Sequence, residues 1–248
     1  MQRRTGPHWG TDAEIRSADG VVLRASWFPT ERIEKCVLIL HGIGDSRANF
    51  AGFALMFQQR GYATLAPDSR AHGESGGDVV TYGIREREDI LGWAAWLRER
   101  GCTKLYGLGE SLGASMLILA AGGFDAIVAE SAYADLQEAA VQRLMRMLPL
   151  PRALAWLAVT NGKLYARLAY GLNFDTASPL EAIRRTRTPV LLIHGMEDEL
   201  TPPEHSRRLA AANKTAELWL VARLGHGSAY AVDESEYKRR VFGWFEGH

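Results

Sequence analysis

The stretch Lys104-Leu-Tyr-Gly-Leu-Gly-Glu-Ser-Leu-Gly113 decides how the rest of the chain is interpreted. A short apolar run leads into Gly109-Glu-Ser-Leu-Gly113, and an apolar, helix-favouring run follows over residues 114–121. This pattern predicts a strand, a tight turn and a helix, with Ser111 at the tip of the turn. The flanking glycines suit a turn in which a Cβ would meet the neighbouring chain. The turn exposes the serine oxygen and places the next N–H, that of Leu112, at a helix start, where negative charge is stabilised.

The Gly-x-Ser-x-Gly motif is weak when taken alone. The chain has 25 glycines among 248 residues, so a chance match somewhere has odds of roughly one in ten, and the motif needs its structural context. The alternative is a glycine-rich turn with an exposed serine. The two hypotheses differ in whether the chain also supplies a base, an acid and a second oxyanion donor in the expected order.

Composition limits the possible classes of protein. A length of 248 residues with 47% hydrophobic content fits one α/β domain. Lys+Arg equals Asp+Glu at 29 each, which gives no electrostatic case for nucleic acid as a partner. The first ten residues carry paired arginines without an apolar run behind them, and no apolar run reaches membrane-spanning length. We therefore expect no stable membrane insertion and a cytoplasmic location. Cys36 and Cys102 adjoin predicted strands without metal-type spacing, and we predict reduced core thiols.

Strand-like and helix-like runs alternate along most of the chain. Residues 14–28 predict an antiparallel hairpin around Asp19-Gly20. The following alternation predicts parallel strands joined by helices, whose functional groups gather at the carboxyl ends of the strands. His41, Asp68 and Ser131 fall at such ends, as Ser111 does. The predicted segments are strands over 36–40, 62–66, 104–108, 126–129, 189–193 and 216–221, and helices over 49–59, 86–100, 114–121, 203–212 and 233–245.

The alternation stops between residues 133 and 178. Three apolar helical runs fill this segment, over 136–148, 153–159 and 164–172, and no strand pattern occurs. We interpret residues 133–178 as a helical cap inserted into an α/β core formed by residues 1–132 and 179–248. The apolar faces of the cap either line a substrate pocket or pack on the core.

A base and an acid follow the serine motif in the chain. Asp198 lies in a loop after a predicted strand, and His226 lies between two glycines after the last strand. Acyl transfer by a serine needs a base to take its proton and an acid to orient that base. Glu197 beside Asp198, and Asp135 after the preceding strand, are rival acids.

On these motifs the sequence resembles the α/β-hydrolase family over most of its length. The resemblance rests on His41-Gly42, Gly109-x-Ser111-x-Gly113, His194-Gly195-x-x-Asp198 and Gly225-His226-Gly227. It implies an α/β-hydrolase fold with a mostly parallel eight-stranded sheet, helices on both faces and a small helical cap. It also implies a nucleophile, a general base and an orienting acid, with two backbone oxyanion donors: Ser111, His226 and Asp198, with the N–H groups of Ile43 and Leu112.

The resemblance implies a serine carboxylesterase that acts on short- to medium-chain esters through an acyl-enzyme. A serine at the elbow argues against the aspartate-dependent haloalkane dehalogenases and epoxide hydrolases. The alternatives are an acyl thioesterase, a monoacylglycerol lipase, or a non-catalytic ligand-binding protein of the same fold. We expect no cofactor and no metal, and a small-molecule ester as the partner, while the oligomeric state stays open. The other histidines are expected to be structural or exposed: His41, His72 and His194 structural, and His8, His205 and His248 at the surface.

Overall fold

The structure, a computed structural model, describes residues 10–248. For Ala51 it describes the backbone alone. Its centre is an eight-stranded sheet in the order β1-β2-β4-β3-β5-β6-β7-β8. The strands are β1 (Thr11–Arg16), β2 (Val22–Phe28), β3 (Lys35–Leu40), β4 (Ala63–Pro67), β5 (Lys104–Glu110), β6 (Ala126–Glu130), β7 (Val190–Gly195) and β8 (Ala216–Val221). His8 and the arginine pair near the start of the chain lie outside the described residues.

Nine α-helices accompany the sheet in residues 10–248. They are α1 (Ala51–Gln58), α2 (Glu86–Glu99), α3 (Leu112–Leu119), α4 (Leu136–Met147), α5 (Arg152–Tyr170), α6 (Pro179–Arg185), α7 (Glu204–Ala212), α8 (Ala229–Val232) and α9 (Glu234–Glu246). None of the helices in this part of the chain is both long and apolar enough to cross a membrane.

The sheet is mostly parallel, as predicted. β1 and β2 form the expected antiparallel hairpin, β2 is also antiparallel to β4, and all pairs from β4 to β8 are parallel. β4 and β5 flank β3 on opposite sides, so the chain reverses its direction of travel across the sheet there. Such a switch point forms a crevice at the carboxyl ends of the strands. The residues after β3 and after β5 therefore face each other across one crevice.

Helices cover both faces of the sheet. Successive side chains of a strand point to opposite faces, and in β3 Val37 and Ile39 join one buried apolar cluster while Leu38 and Leu40 join the other. α1 and α9 contribute to the first cluster, and α2, α3, α6 and α7 contribute to the second. This arrangement confirms the predicted α/β-hydrolase fold with helices on both faces of the sheet.

The helices between β6 and β7 differ in detail from the prediction. The runs predicted over 153–159 and 164–172 form one continuous helix, α5, which passes through Gly162 and ends at Gly171 in a left-handed conformation with φ 67°. No proline interrupts the run, and a glycine inside a helix costs only about 1 kcal/mol. The sequence interpretation also missed α6, although Ser178 caps it and Pro179 begins it, which are ordinary signals of a helix start.

The prediction of two reduced core thiols is wrong. Cys36 and Cys102 form a disulfide with a Cα–Cα distance of 5.9 Å. β3 and β5 are neighbours in the sheet, with Cys36 paired to Leu105. A cysteine just before β5 therefore lies beside one in β3, which sequence spacing alone does not reveal.

Candidate active site

The turn between β5 and α3 has the geometry that the glycine motif predicts. Ser111 lies there with φ 55° and ψ −113°, a backbone conformation rare for a residue with a side chain. A Cβ on Gly109 would lie 2.7 Å from the carbonyl carbon of Gly113, and a Cβ on Gly113 would lie 2.5 Å from the carbonyl oxygen of Leu40. Both glycines are thus required by close backbone contact. The N–H of Ser111 donates to the carbonyl oxygen of Glu130 at 2.8 Å, which fixes the turn against β6.

Three side chains that are distant in sequence form one hydrogen-bonded series. His226 Nε2 lies 2.9 Å from Ser111 Oγ, and His226 Nδ1 lies 2.7 Å from Asp198 Oδ2. The second carboxylate oxygen of Asp198 accepts the N–H groups of Leu200 at 2.9 Å and Thr201 at 2.8 Å. The carboxylate is therefore held in place from both sides, with one oxygen directed at the histidine.

The acid of this series is ionised. Burial alone would raise the pKa of Asp198, but the hydrogen bonds from His194 and His226 outweigh it, and the pKa lies well below its ordinary value. His194 is buried, with Nε2 3.2 Å from the Asp198 carboxylate and Nδ1 2.6 Å from Ser206 Oγ. An ionised, buried carboxylate can orient an imidazole and stabilise its positive charge.

The rival acids lie elsewhere. Glu197 is exposed, and Asp135 caps α4 by accepting the N–H of Glu138 at 2.9 Å. Among the candidates, Asp198 is the carboxylate in contact with His226.

The other histidines are mostly structural. His41 Nε2 accepts the N–H of Ser69 at 3.0 Å, and His72 Nδ1 lies 2.9 Å from the carbonyl oxygen of Arg70. His205, predicted at the surface, is buried, and its Nδ1 accepts the N–H of Ala134 at 3.2 Å. The prediction failed because His205 lies on the side of α7 that faces the protein interior. The sequence did not show which elements α7 packs against.

Two backbone N–H groups lie next to the serine. Ile43 and Leu112 line the same cavity as Ser111. Leu112 is the first residue of α3, and the first N–H groups of a helix have no intrahelical acceptor. Within residues 10–248, neither N–H donates a hydrogen bond to a protein atom. A Cβ on Gly42 would lie 3.5 Å from Ser111 Cβ, so the loop after β3 reaches the turn that carries Ser111.

The loop that carries His226 is held by two buried residues that sequence reasoning did not assign. The N–H of Ala229 donates to Glu130 Oε1 at 2.7 Å, and the N–H of Gly227 donates to Ser131 Oγ at 3.1 Å. Burial raises the pKa of Glu130 to about 8. The signal in the sequence was a charged residue at the end of the apolar strand β6. The role of Glu130 could be assigned only once the position of the loop that carries His226 was known.

A cavity of about 360 Å³ opens beside Ser111. Its walls are mainly apolar, and one side is formed by α4 and α5. A minority of the residues of these helices line it, including Leu144, Met147 and Val159. In residues 10–248 no three His, Cys, Asp or Glu side chains are grouped as ligands for a metal ion.

Comparisons with known proteins agree with the fold. The sequence model of the Alpha/beta hydrolase family matches residues 37–239, so the chain belongs to the α/β-hydrolase family. The protein YqkD of Bacillus subtilis is 27% identical over 237 residues, which cover 92% of this chain and 76% of that relative.

Solved structures give the same result. The Pyrococcus furiosus esterase Pf2001 is 25% identical and superposes with a TM-score of 0.77, covering 99% of this chain and 98% of that one. The thioesterase domain from the curacin biosynthetic pathway is 14% identical, with a TM-score of 0.65 over 94% of this chain and 99% of that domain. At that identity the likeness concerns the fold alone. The chain is a hydrolase by family and architecture, and Pf2001 is an esterase among its structural neighbours.

Proposed function

We propose that the protein is a serine carboxylesterase with Ser111 as nucleophile, His226 as general base and acid, and Asp198 as the orienting acid. The observation that carries the proposal is the hydrogen-bonded series from Ser111 Oγ through both nitrogens of His226 to Asp198. The position of Ser111 on a strained turn at a helix start supports the same assignment. The name of the structural neighbour Pf2001, an esterase, adds support from similarity.

The proposed reaction has two steps. His226 Nε2 takes the proton of Ser111, whose oxygen attacks the ester carbonyl. The N–H groups of Ile43 and Leu112 stabilise the oxyanion of the tetrahedral intermediate. Collapse of that intermediate expels the alcohol, which receives the proton from His226, and leaves an acyl-enzyme. Water then attacks the acyl carbonyl with the same assistance, releasing the acid and the serine.

The cavity supports a short- to medium-chain acyl group. Its volume of about 360 Å³ lies near the lower end of the roughly 300–1,000 Å³ typical of small-molecule sites. Its mainly apolar walls favour a hydrocarbon chain over a charged group.

The test is hydrolysis of p-nitrophenyl esters from acetate to palmitate by the protein and by its Ser111→Ala variant. We expect an optimum at short or medium chain length and a loss of at least about 10⁴-fold in kcat for the variant, because triad members act as a unit. A radiolabelled ester should also leave label on Ser111 after an acid quench. Equal rates for both proteins would contradict the proposal.

The same assay separates the alternatives. Faster turnover of acyl-CoA than of the matched oxygen ester would indicate a thioesterase, and preference for monoacylglycerols would indicate a lipase. Saturable ester binding without turnover would indicate a ligand-binding protein.

We also propose the cytoplasmic location that was expected from the sequence, although the disulfide between Cys36 and Cys102 argues against it. Disulfides are rare in the cytosol because glutathione and thioredoxin keep thiols reduced. Alkylation of the protein in freshly lysed cells, followed by mass spectrometry, tests the location. Alkylated Cys36 and Cys102 fit a reducing compartment, whereas an intact bridge contradicts it.

A further inference from the structure

The mainly apolar cavity beside Ser111 contains a positive charge that the protein does not neutralise. Two cationic side chains line it, Arg143 from α4 and Lys163 from α5, and none of the described lining residues is Asp or Glu. Lys163 Nζ lies 2.6 Å from Asp175 Oδ1 and donates to Gln137 Oε1 at 3.0 Å, so its charge is compensated. Arg143 forms neither an ion pair nor a side-chain hydrogen bond within residues 10–248. The guanidinium of Arg143 is therefore available to an anion.

Arg143 lies where the cavity opens to solvent, because it is both an exposed residue and a lining residue. Leu136, Ala140, Leu144 and Met147 line the cavity from the same side of α4, at the spacing of one helix face. Apolar side chains thus accompany the guanidinium along this wall. A ligand with a hydrocarbon chain and an anionic end fits such a wall, since its chain is buried while its charge stays partly hydrated at the opening.

The hydroxyl of Tyr82 is a second hydrogen-bond donor near Arg143. Tyr82 lines the same cavity, and its hydroxyl makes no hydrogen bond to a protein atom in the described part of the chain. Burial raises the pKa of Tyr82, and the positive charge of Arg143 acts in the opposite direction, so the two groups are close enough to interact. A phenol and a guanidinium can donate together to the oxygens of one carboxylate.

The backbone that carries Tyr82 is held in an unfavourable conformation. Tyr82 has φ 51° and Gly83 has φ 103°, and the left-handed region is rare for an aromatic residue. The buried carboxylate of Glu86 maintains this turn by accepting the N–H of Thr81 at 2.6 Å and that of Gly83 at 2.8 Å. The ring of Phe174 packs edge-on against Tyr82, with 6.0 Å between centroids. Backbone strain maintained in this way is typical of side chains that serve a site.

We propose that Arg143 and the hydroxyl of Tyr82 bind a carboxylate at the far end of the acyl chain, so that the substrate is a half-ester of a dicarboxylic acid. The ester carbonyl lies at Ser111, and the methylene chain lies against the apolar walls between the two ends. One uncompensated guanidinium matches the single charge of a carboxylate. The substrate class rests on the proposed esterase function, whereas the carboxylate site does not depend on catalysis.

The test compares monomethyl adipate, whose free carboxyl is ionised at pH 8, with methyl hexanoate, which has an acyl chain of the same length. We expect kcat/KM for the half-ester to equal or exceed that for the neutral ester, although the half-ester is less apolar. Arg143→Gln should lower the ratio of the two kcat/KM values about fivefold, as expected for an ion pair at a partly exposed site. Arg143→Lys keeps the charge and should keep most of the ratio.

Two further measurements examine the same ratio. Tyr82→Phe keeps the ring that packs on Phe174 but removes the hydroxyl, and it should lower the ratio about threefold. Raising NaCl from 0.05 to 0.5 M should lower the ratio for the unchanged protein, because salt screens the attraction between the carboxylate and the guanidinium. A loss of general stability would affect both esters alike and would leave the ratio unchanged.

Matched controls lie close to the proposed site. Arg146→Gln removes an exposed cation of the same helix, one that pairs with Glu199 and does not line the cavity. Tyr165→Phe removes a phenol hydroxyl from an exposed tyrosine of α5 outside the cavity lining. Both should leave the ratio of the two kcat/KM values within about twofold of that of the unchanged protein. Circular dichroism melting of every variant checks that it folds.

Binding to the Ser111→Ala protein separates the carboxylate site from the chemistry. An NMR titration with monomethyl adipate should give a Kd about fivefold higher once Arg143→Gln is added to Ser111→Ala. If this difference is found while the unchanged protein hydrolyses neither ester, the proposed esterase function fails and the carboxylate site stands. An equal ratio of kcat/KM values for Arg143→Gln and Arg146→Gln, or equal Kd values where no turnover occurs, would overturn the proposal.

Discussion

The carboxyl edge of the sheet and the helical hairpin formed by α4 and α5, called here the α4–α5 hairpin, line the same cavity. The two regions are built under different constraints. At the sheet edge, Ser111 and Asp198 are held by backbone hydrogen bonds, and Gly113 has no room for a Cβ. In α5, one side chain, Ala155, is buried, and a Cβ on Gly162 would meet nothing within 4 Å. The contrast indicates that the proposed chemistry depends on positions that tolerate no change, whereas the shape of the cavity and the outer surface depend on positions that tolerate many.

The largest effect should come from the acid at the sheet edge. Asp198→Asn keeps the shape of the side chain but removes its charge and favours the wrong histidine tautomer, so we expect kcat to fall by about 10³–10⁴-fold. The matched control at the start of the hairpin is Asp135→Asn, which still caps α4 and should change kcat by less than about twofold. Ester hydrolysis by both variants measures the difference. A fall for Asp135→Asn alone would reverse the assignment of the acid.

The pH dependence of stability should report the buried carboxyl that holds the histidine loop. The pKa of Glu130 is raised from 4.5 to about 8, so between these values the folded state keeps a proton that the unfolded state releases. The contribution of Glu130 to the free energy of unfolding is therefore greatest below about pH 4.5. It falls by roughly 3–5 kcal/mol as the pH rises to about 8.

Glu130→Gln removes this titration because an amide does not ionise, and the amide oxygen can still accept the N–H of Ala229. Urea unfolding at pH 5, 7 and 9 should show a flatter profile for the variant and a higher free energy of unfolding than the unchanged protein at pH 9. Glu217→Gln, at an exposed position of β8, serves as control. Parallel profiles for Glu130→Gln and the unchanged protein would contradict the role of burial.

The disulfide ties β3 to the segment just before β5, and no equivalent bridge exists between α4 and α5 in the described residues. It closes a loop with a sequence separation of 66 residues, which in a chain-entropy estimate stabilises the fold by about 4 kcal/mol. We expect Cys36→Ala/Cys102→Ala to lower the free energy of urea unfolding by 2–4 kcal/mol, an approximate range for lost disulfides. Thiol quantification before and after reduction checks the bridge. Two free thiols in the oxidised protein would restore the prediction of reduced cysteines.

Much of the fold was predictable because its signals are local. Apolar runs of strand length, the hairpin at Asp19-Gly20 and the glycine turn around Ser111 depend on neighbours in the chain. Asp198 and His226 were predicted as site residues from their positions after strands, and the structure joins both to Ser111 in one hydrogen-bonded series. Parallel strands gather their carboxyl ends at one edge, so the order of motifs carries spatial information.

The missed features depend on contacts between distant segments. The bridge from Cys36 to Cys102 requires that β3 and β5 be neighbours, which is set by strand order. The support of the histidine loop by Glu130 and Ser131 appears only once that loop folds back on β6. The continuity of α5 was missed for a local reason: residues 160–163, which separate the two apolar runs, are polar or glycine and yet lie inside the helix.

The most direct comparison uses one substitution at two glycines. Gly113→Ala would place a Cβ 2.5 Å from the Leu40 carbonyl oxygen, and since buried backbone cannot shift easily we expect a loss of about 3 kcal/mol or more in unfolding free energy. Gly162→Ala meets open space inside a helix, where alanine is favoured by about 0.5–1 kcal/mol. Thermal and urea unfolding of both variants measures the contrast. Equal losses at the two sites would mean that the α4–α5 segment is as tightly constrained as the sheet edge.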